Sequence, residues 1–138
     1  MTYEELLARA NAEATTRSKP RHEESNLQRA CIRWFRLQYP KFAKVCFAVP
    51  NGGWRNRREA GILKAEGVTP GVADVILLTP SGGYASLCLE FKTESKGSTQ
   101  RDSQKEWQAA AEAAGNRYEI IRTFNRFREV VNEYLANE

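Results

Sequence analysis

At 138 residues and 15.7 kDa the chain has room for one domain with a buried core. Hydrophobic residues at 41% and charged residues at 28% describe a globular protein and exclude a disordered or fibrous one. Lys and Arg number 21 against 17 Asp and Glu, a charge of +4 and a pI near 9.1; this mild basicity suits a polyanionic partner without specifying one.

In chain order, residues 2–15 predict a first helix, with Thr2 and Glu5 as a capping box and Leu6, Leu7, Ala10 and Ala14 as a narrow apolar stripe. Arg17-Ser18-Lys19-Pro20-Arg21 breaks it as a basic linker. Residues 1–21 are therefore expected as a leading helix and linker, an arm, a contact with a partner chain or a plain surface helix, ahead of a domain at 22–138. A second helix spans about 23–39, with Leu27, Cys31, Trp34 and Phe35, continued by Leu37 and Gln38, at core spacing and Arg29, Arg33 and Arg36 on the other side. Val45, Phe47 and Val49 predict a strand over 44–49, ended by Pro50-Asn51-Gly52-Gly53. Trp54-Arg55-Asn56-Arg57-Arg58 leads into a short helix that stops at Gly67. Two strands follow at about 73–79 and 84–92, joined through Pro80-Ser81-Gly82-Gly83. A helix over 101–114 closes on Gly115, a strand covers 118–123, and a last helix over 125–136 carries Phe127, Val130, Val131, Tyr134 and Leu135 toward a core. The order implies a mixed sheet flanked by helices.

Cys31, Cys46 and Cys88 are isolated in apolar surroundings. With His22 the only histidine, they build no ordinary zinc site and are expected as buried free thiols in a reducing compartment. No apolar run approaches the ~18 residues of a membrane span, and Glu4 and Glu5 do not suit a signal peptide; the expectation is a soluble, cytoplasmic protein with no membrane partner.

The chemistry gathers in the two-strand unit. Asp74 opens one apolar run and Glu90-Phe91-Lys92 ends the other. Side chains alternate along a strand, so Glu90 and Lys92 share a face and Phe91 points away. Two carboxylates and an ammonium on one hairpin suit a divalent cation and an activated water, the usual means of attacking an anionic phosphodiester. Taken singly each has a blander reading. Asp74 would be a solvated turn residue, Glu90 and Lys92 an exposed ion pair, and Glu24 (or Glu23 beside it) a first-turn residue favouring the helix dipole. Gln104 would sit in a helix's first turn behind an Asp102 or Ser103 cap, and Trp107 would belong to the core.

Together Asp74 and Glu90-Phe91-Lys92 resemble the PD-(D/E)xK nuclease superfamily. The wider pattern over about 23–131 is similar to its VRR-NUC branch: Glu24 to Gln28, Asn51-Gly52-Gly53, Gly67 to Asp74, Ser103-Gln104 and Gly115. Gly71-Val72-Ala73 separates Pro70 from Asp74, so the superfamily's proline–aspartate dipeptide is absent, a departure that the branch tolerates. The resemblance implies an α/β, restriction-endonuclease-like core with a central mixed β-sheet flanked by helices. It implies Mg²⁺ or Mn²⁺, and no organic cofactor, held by Asp74, Glu90 and the backbone carbonyl of Phe91, with Glu24 reaching the ion directly or through water. Lys92 would position the attacking water, and Gln104 would support the lysine or the phosphate. The implied activity is a structure-specific DNA endonuclease of a bacterial or phage-infected cell, a homodimer acting on four-way junctions. A flap or single-strand nuclease, or a non-catalytic DNA-binding module, stands as the alternative. Arg55, Arg57 and Arg58 beside Trp54 read as a phosphate grip, with Lys96, Arg101 and Lys105 as a second basic rail.

Overall fold

The computed structural model describes residues 2–15, 20–50, 57–93 and 99–137. Helix α1 (Tyr3–Thr15) is started by a reciprocal cap, Thr2 N–H to Glu5 Oε2 at 3.0 Å and Glu5 N–H to Thr2 Oγ1 at 3.1 Å. Leu6, only 1% exposed, carries α1 into the main core, and Arg128 stacks over the Tyr3 ring, so the helix lies packed on the domain rather than extended from it. Helix α2 (Pro20–Gln38) begins with a proline in its first turn and ends two residues before Pro40. Leu27, Ala30, Cys31, Trp34 and Phe35 form its buried face, the 3.6-residue repeat of an amphipathic helix; Leu37 and Gln38, expected to continue it, are exposed at the helix end.

Four strands make one sheet in the order β1 (Cys46–Ala48), β2 (Val75–Leu77), β3 (Leu87–Phe91), β4 (Arg117–Ile121). Strand β2 runs antiparallel to both its neighbours, β1 and β3, and β4 is parallel to β3, reached by a crossover through α4 (Asp102–Ala113). Helix α3 (Arg57–Ala65) lies between β1 and β2 in the chain, and α5 (Phe124–Ala136) closes it, capped by Thr123 Oγ1 accepting the Arg126 N–H at 3.1 Å. The expected mixed sheet flanked by helices is what forms. Its strands are shorter than the sequence suggests. Pro40 starts a 3-10 turn that takes up residues 40–45, and the β2–β3 ladder holds three residue pairs before the chain leaves it. Gly82 and Gly83, at φ 58° and 87°, make the tight turn of that connection, where two positive φ angles suit glycine.

Strand β3 is central and buried on both faces, and its alternation sorts the core. Leu87, Leu89 and Phe91 face α1, α2 and α5, where Phe91 and Trp34 both pack against Phe127. Cys88 faces the other way, into a smaller cluster with Ala73 and Tyr118 beneath Trp107 of α4. Glu90 shares the Cys88 parity and points to that second face.

Candidate active site

Val75 pairs with Leu89, so continuing the antiparallel register by one residue sets Asp74 opposite Glu90. The Asp74 Oδ2 accepts the Phe91 N–H at 2.7 Å, which fixes the half-buried carboxylate against the end of β3. Glu90 is 1% exposed; its Oε1 accepts a hydrogen bond from the Tyr118 hydroxyl, while Oε2 is buried with no hydrogen-bond partner among the described residues. Burial raises both carboxyl pKa values. The Phe91 N–H opposes the rise at Asp74, as the Tyr118 hydroxyl does at Glu90. The positive charges of Lys92 and Arg101 also lower both values, and the Glu24 charge raises Asp74 further. Lys92 is 8% exposed, and its main-chain N–H bonds the Ile121 carbonyl at 3.0 Å, extending the parallel pairing by one residue.

The loop before Asp74 is held by a close approach. Gly71 has φ +82°, and a Cβ there would lie 2.1 Å from the Ser103 carbonyl oxygen and 2.8 Å from the Gln104 nitrogen. Its backbone therefore rests on the first turn of α4. Gln104 is buried in that turn and caps it, its Oε1 accepting the Arg101 N–H at 2.8 Å; Arg101 stands at the N-cap position, which the sequence assigned to Asp102 or Ser103. On the opposite side an open groove of about 920 Å³ runs along α2 and reaches Asp74 and Phe91, with half-buried Glu24 in its wall.

A solved structure described as a "VRR_NUC domain protein" superposes with a TM-score of 0.71, covering 83% of this chain and 89% of that one at 21% sequence identity. The chain has a VRR-NUC fold. No protein-family model matches the sequence, and no curated protein does either.

Within this VRR-NUC fold the structure brings Asp74, Glu90 and Lys92 to one end of the sheet, with Glu24 from α2 on one side and Arg101 and Gln104 from α4 on the other. Among the described residues no three of His, Cys, Asp and Glu gather closely enough to hold an ion by themselves. The acidic pair is nevertheless suited to a hard divalent cation that takes one or two carboxylates and completes its shell with carbonyl and water oxygens. A buried carboxylate oxygen without a partner is costly unless something cationic faces it. Lys105 is exposed one turn into α4, and Arg58 is exposed on α3. Arg57 opens α3, while Asn51 to Arg55 and Lys96 fall outside the described residues. Trp107 packs 6.0 Å from the Tyr118 ring, as a core residue does. The three cysteines are buried free thiols, with burial pushing Cys46 up to about 12.

Tyr118 is the site residue that sequence reasoning missed. It pairs with Cys88 in the parallel register, so its long side chain reaches one step along the same face to Glu90. Gln100 Nε2 donates to the Tyr118 hydroxyl at 3.3 Å and to Gln108 at 2.9 Å, tying the tyrosine to α4. Only a polar-tipped aromatic in the strand after Gly115 signalled this in advance.

Proposed function

We propose that this VRR-NUC fold is a metal-dependent DNA endonuclease that hydrolyses phosphodiester bonds. The observation that carries the reading is the Glu90 carboxylate, 1% exposed with one oxygen lacking a hydrogen bond among the described residues, directly across from Asp74 and on the same strand face as Lys92. Asp74, Glu90 and the Phe91 carbonyl would hold Mg²⁺ or Mn²⁺, with Glu24 acting through water. Such an ion, when bound, offsets the negative charge of a phosphate and acidifies a coordinated water. Tyr118 keeps Glu90 in one rotamer, and the Phe91 N–H does the same for Asp74. Lys92 supplies a donor toward the attacking water and the phosphate oxygens, and Arg101 adds positive charge at the end of α4.

The name of the structural neighbour, a VRR_NUC domain protein, supports the nuclease reading, and DNA is its proposed partner. The finer proposal is a homodimer acting on a four-way junction, because a two-fold enzyme matches two equivalent nicks. The test is a panel of labelled four-way junctions, flaps, single strands and plain duplex with Mg²⁺ or Mn²⁺, alongside sedimentation across concentrations. Junction-selective paired nicking by a dimer is expected. Preference for flaps or single strands by a monomer would replace the junction reading, and binding without turnover would leave a DNA-binding module.

A further inference from the structure

We infer that the groove along α2 is the track for the DNA strand beyond the scissile phosphate, with Arg29 and Arg36 as its phosphate contacts; this rests on the nuclease reading above. The groove is walled by one face of α2, on which Arg29, Ile32, Arg33 and Arg36 recur at helical spacing, and by Ala48 of the edge strand β1. Arg36 lines it near the C-terminal end of α2. Asp74 and Glu24 stand at the near end. The groove thus leads from Asp74 and Glu24 along a run of arginines.

The dimensions suit a polynucleotide. From Glu24 to Arg36 is 12 residues, about 18 Å of helix, and Arg29 to Arg36 spans about 10 Å. One DNA strand places a phosphate every ~3.4 Å of axial rise, so Arg29 and Arg36 are about three phosphates apart. Between them half-buried Ile32 and the Ala48 methyl give an apolar floor, matched to the apolar faces of the sugars. Arg29 and Arg36 are both exposed, as a phosphate grip requires, and a guanidinium fork binds phosphate better than an ammonium does. A solvated helix face does not need three arginines along one groove that ends on two carboxylates.

The experiment measures binding and turnover separately. Binding uses anisotropy of a fluorescein-labelled 20-base-pair duplex in EDTA with full-length protein, comparing the parent with Arg29→Ala/Arg36→Ala and a charge-matched control, Arg126→Ala/Arg128→Ala. Each lost phosphate contact should flatten the slope of log K against log salt by ~0.9, so the double variant flattens it by ~1.8 and weakens binding roughly 60-fold at 0.1 M salt. In cleavage with Mn²⁺ the same variant raises KM and leaves kcat within about threefold, since these contacts lie away from the reacting bond. An unchanged slope and affinity in a protein that still cleaves DNA overturns the track and leaves the nuclease reading intact. A control that loses as much as the groove variant also overturns it. A parent protein that neither binds nor cleaves DNA overturns both.

Discussion

Tyr118→Phe keeps the ring that packs on Trp107 and removes only the hydroxyl that bonds Glu90. Because the other Glu90 oxygen has no hydrogen-bond partner among the described residues, the variant leaves a carboxylate that is 1% exposed with neither oxygen hydrogen-bonded among them. Loss of a hydrogen bond to a charged group costs about 1.5–3 kcal/mol, and loss of one between neutral groups about 0.5–1.5 kcal/mol. The cost must therefore follow the ionisation of Glu90. Burial raises its folded pKa, and Asp74 adds to the rise; Tyr118, Lys92 and Arg101 pull it down. A raised carboxyl pKa means that Glu90's contribution to stability is fully present below its unfolded pKa of about 4.3 and is lost as pH climbs through the folded value. Removing the tyrosine hydroxyl raises that folded value further, so the loss grows on the alkaline side. Urea unfolding in EDTA should show Tyr118→Phe costing about 1 kcal/mol at pH 4 and about 1 kcal/mol more at pH 8. In a Glu90→Gln background the cost should stay near 1 kcal/mol at both, because no charge remains. A cost that is flat with pH, or equal in the two backgrounds, would refute the view that Tyr118 holds an ionisable ligand. The same variant should weaken Mn²⁺ binding about 10–100-fold, as loss of a hydrogen bond to a metal ligand does.

Other consequences are open to simple assays. Glu90→Gln removes a buried charge, so in EDTA at pH 8 the variant should unfold at higher urea than the parent while losing its response to metal; equal or lower stability would count against the burial penalty. For the parent, Mn²⁺ at a hundred times its Kd should add about 2.7 kcal/mol, a rise of roughly 10 °C in Tm by calorimetry, and no shift would deny a metal site in the folded state. Gly71→Ala puts a Cβ 2.1 Å from the Ser103 carbonyl at φ +82°. It should cost about 2–5 kcal/mol in urea unfolding and impair cleavage by moving Asp74, whereas a loss under 1 kcal/mol would mean that the loop gives way freely.

Much of this was legible in the sequence, for local reasons. The buried face of α2 shows in the spacing of Leu27, Cys31, Trp34 and Phe35, and the shared face of Glu90 and Lys92 follows from strand alternation alone. What escaped depended on long-range geometry. Tyr118 meets Glu90 through the parallel register of β3 and β4, which no local pattern specifies. Gly71 is required by a helix that starts 31 residues later (102 − 71), at Asp102. Gln104 caps α4 from inside the turn, where the sequence offered Asp102 and Ser103 as more ordinary caps. The arginines of α2 show in the sequence only as the side opposite the core, and the groove beside them depends on the edge strand β1.

The central claim rests on Asp74, Glu90 and Lys92 acting through a divalent cation, and the most direct measurement is the single-turnover rate of cleavage of a labelled four-way junction. With Mn²⁺ the parent should cut, EDTA should stop it, and Lys92→Ala and Asp74→Asn should each slow it by at least about 10²-fold while remaining folded. Cleavage that persists in EDTA, or at parental rate in either variant, would contradict it.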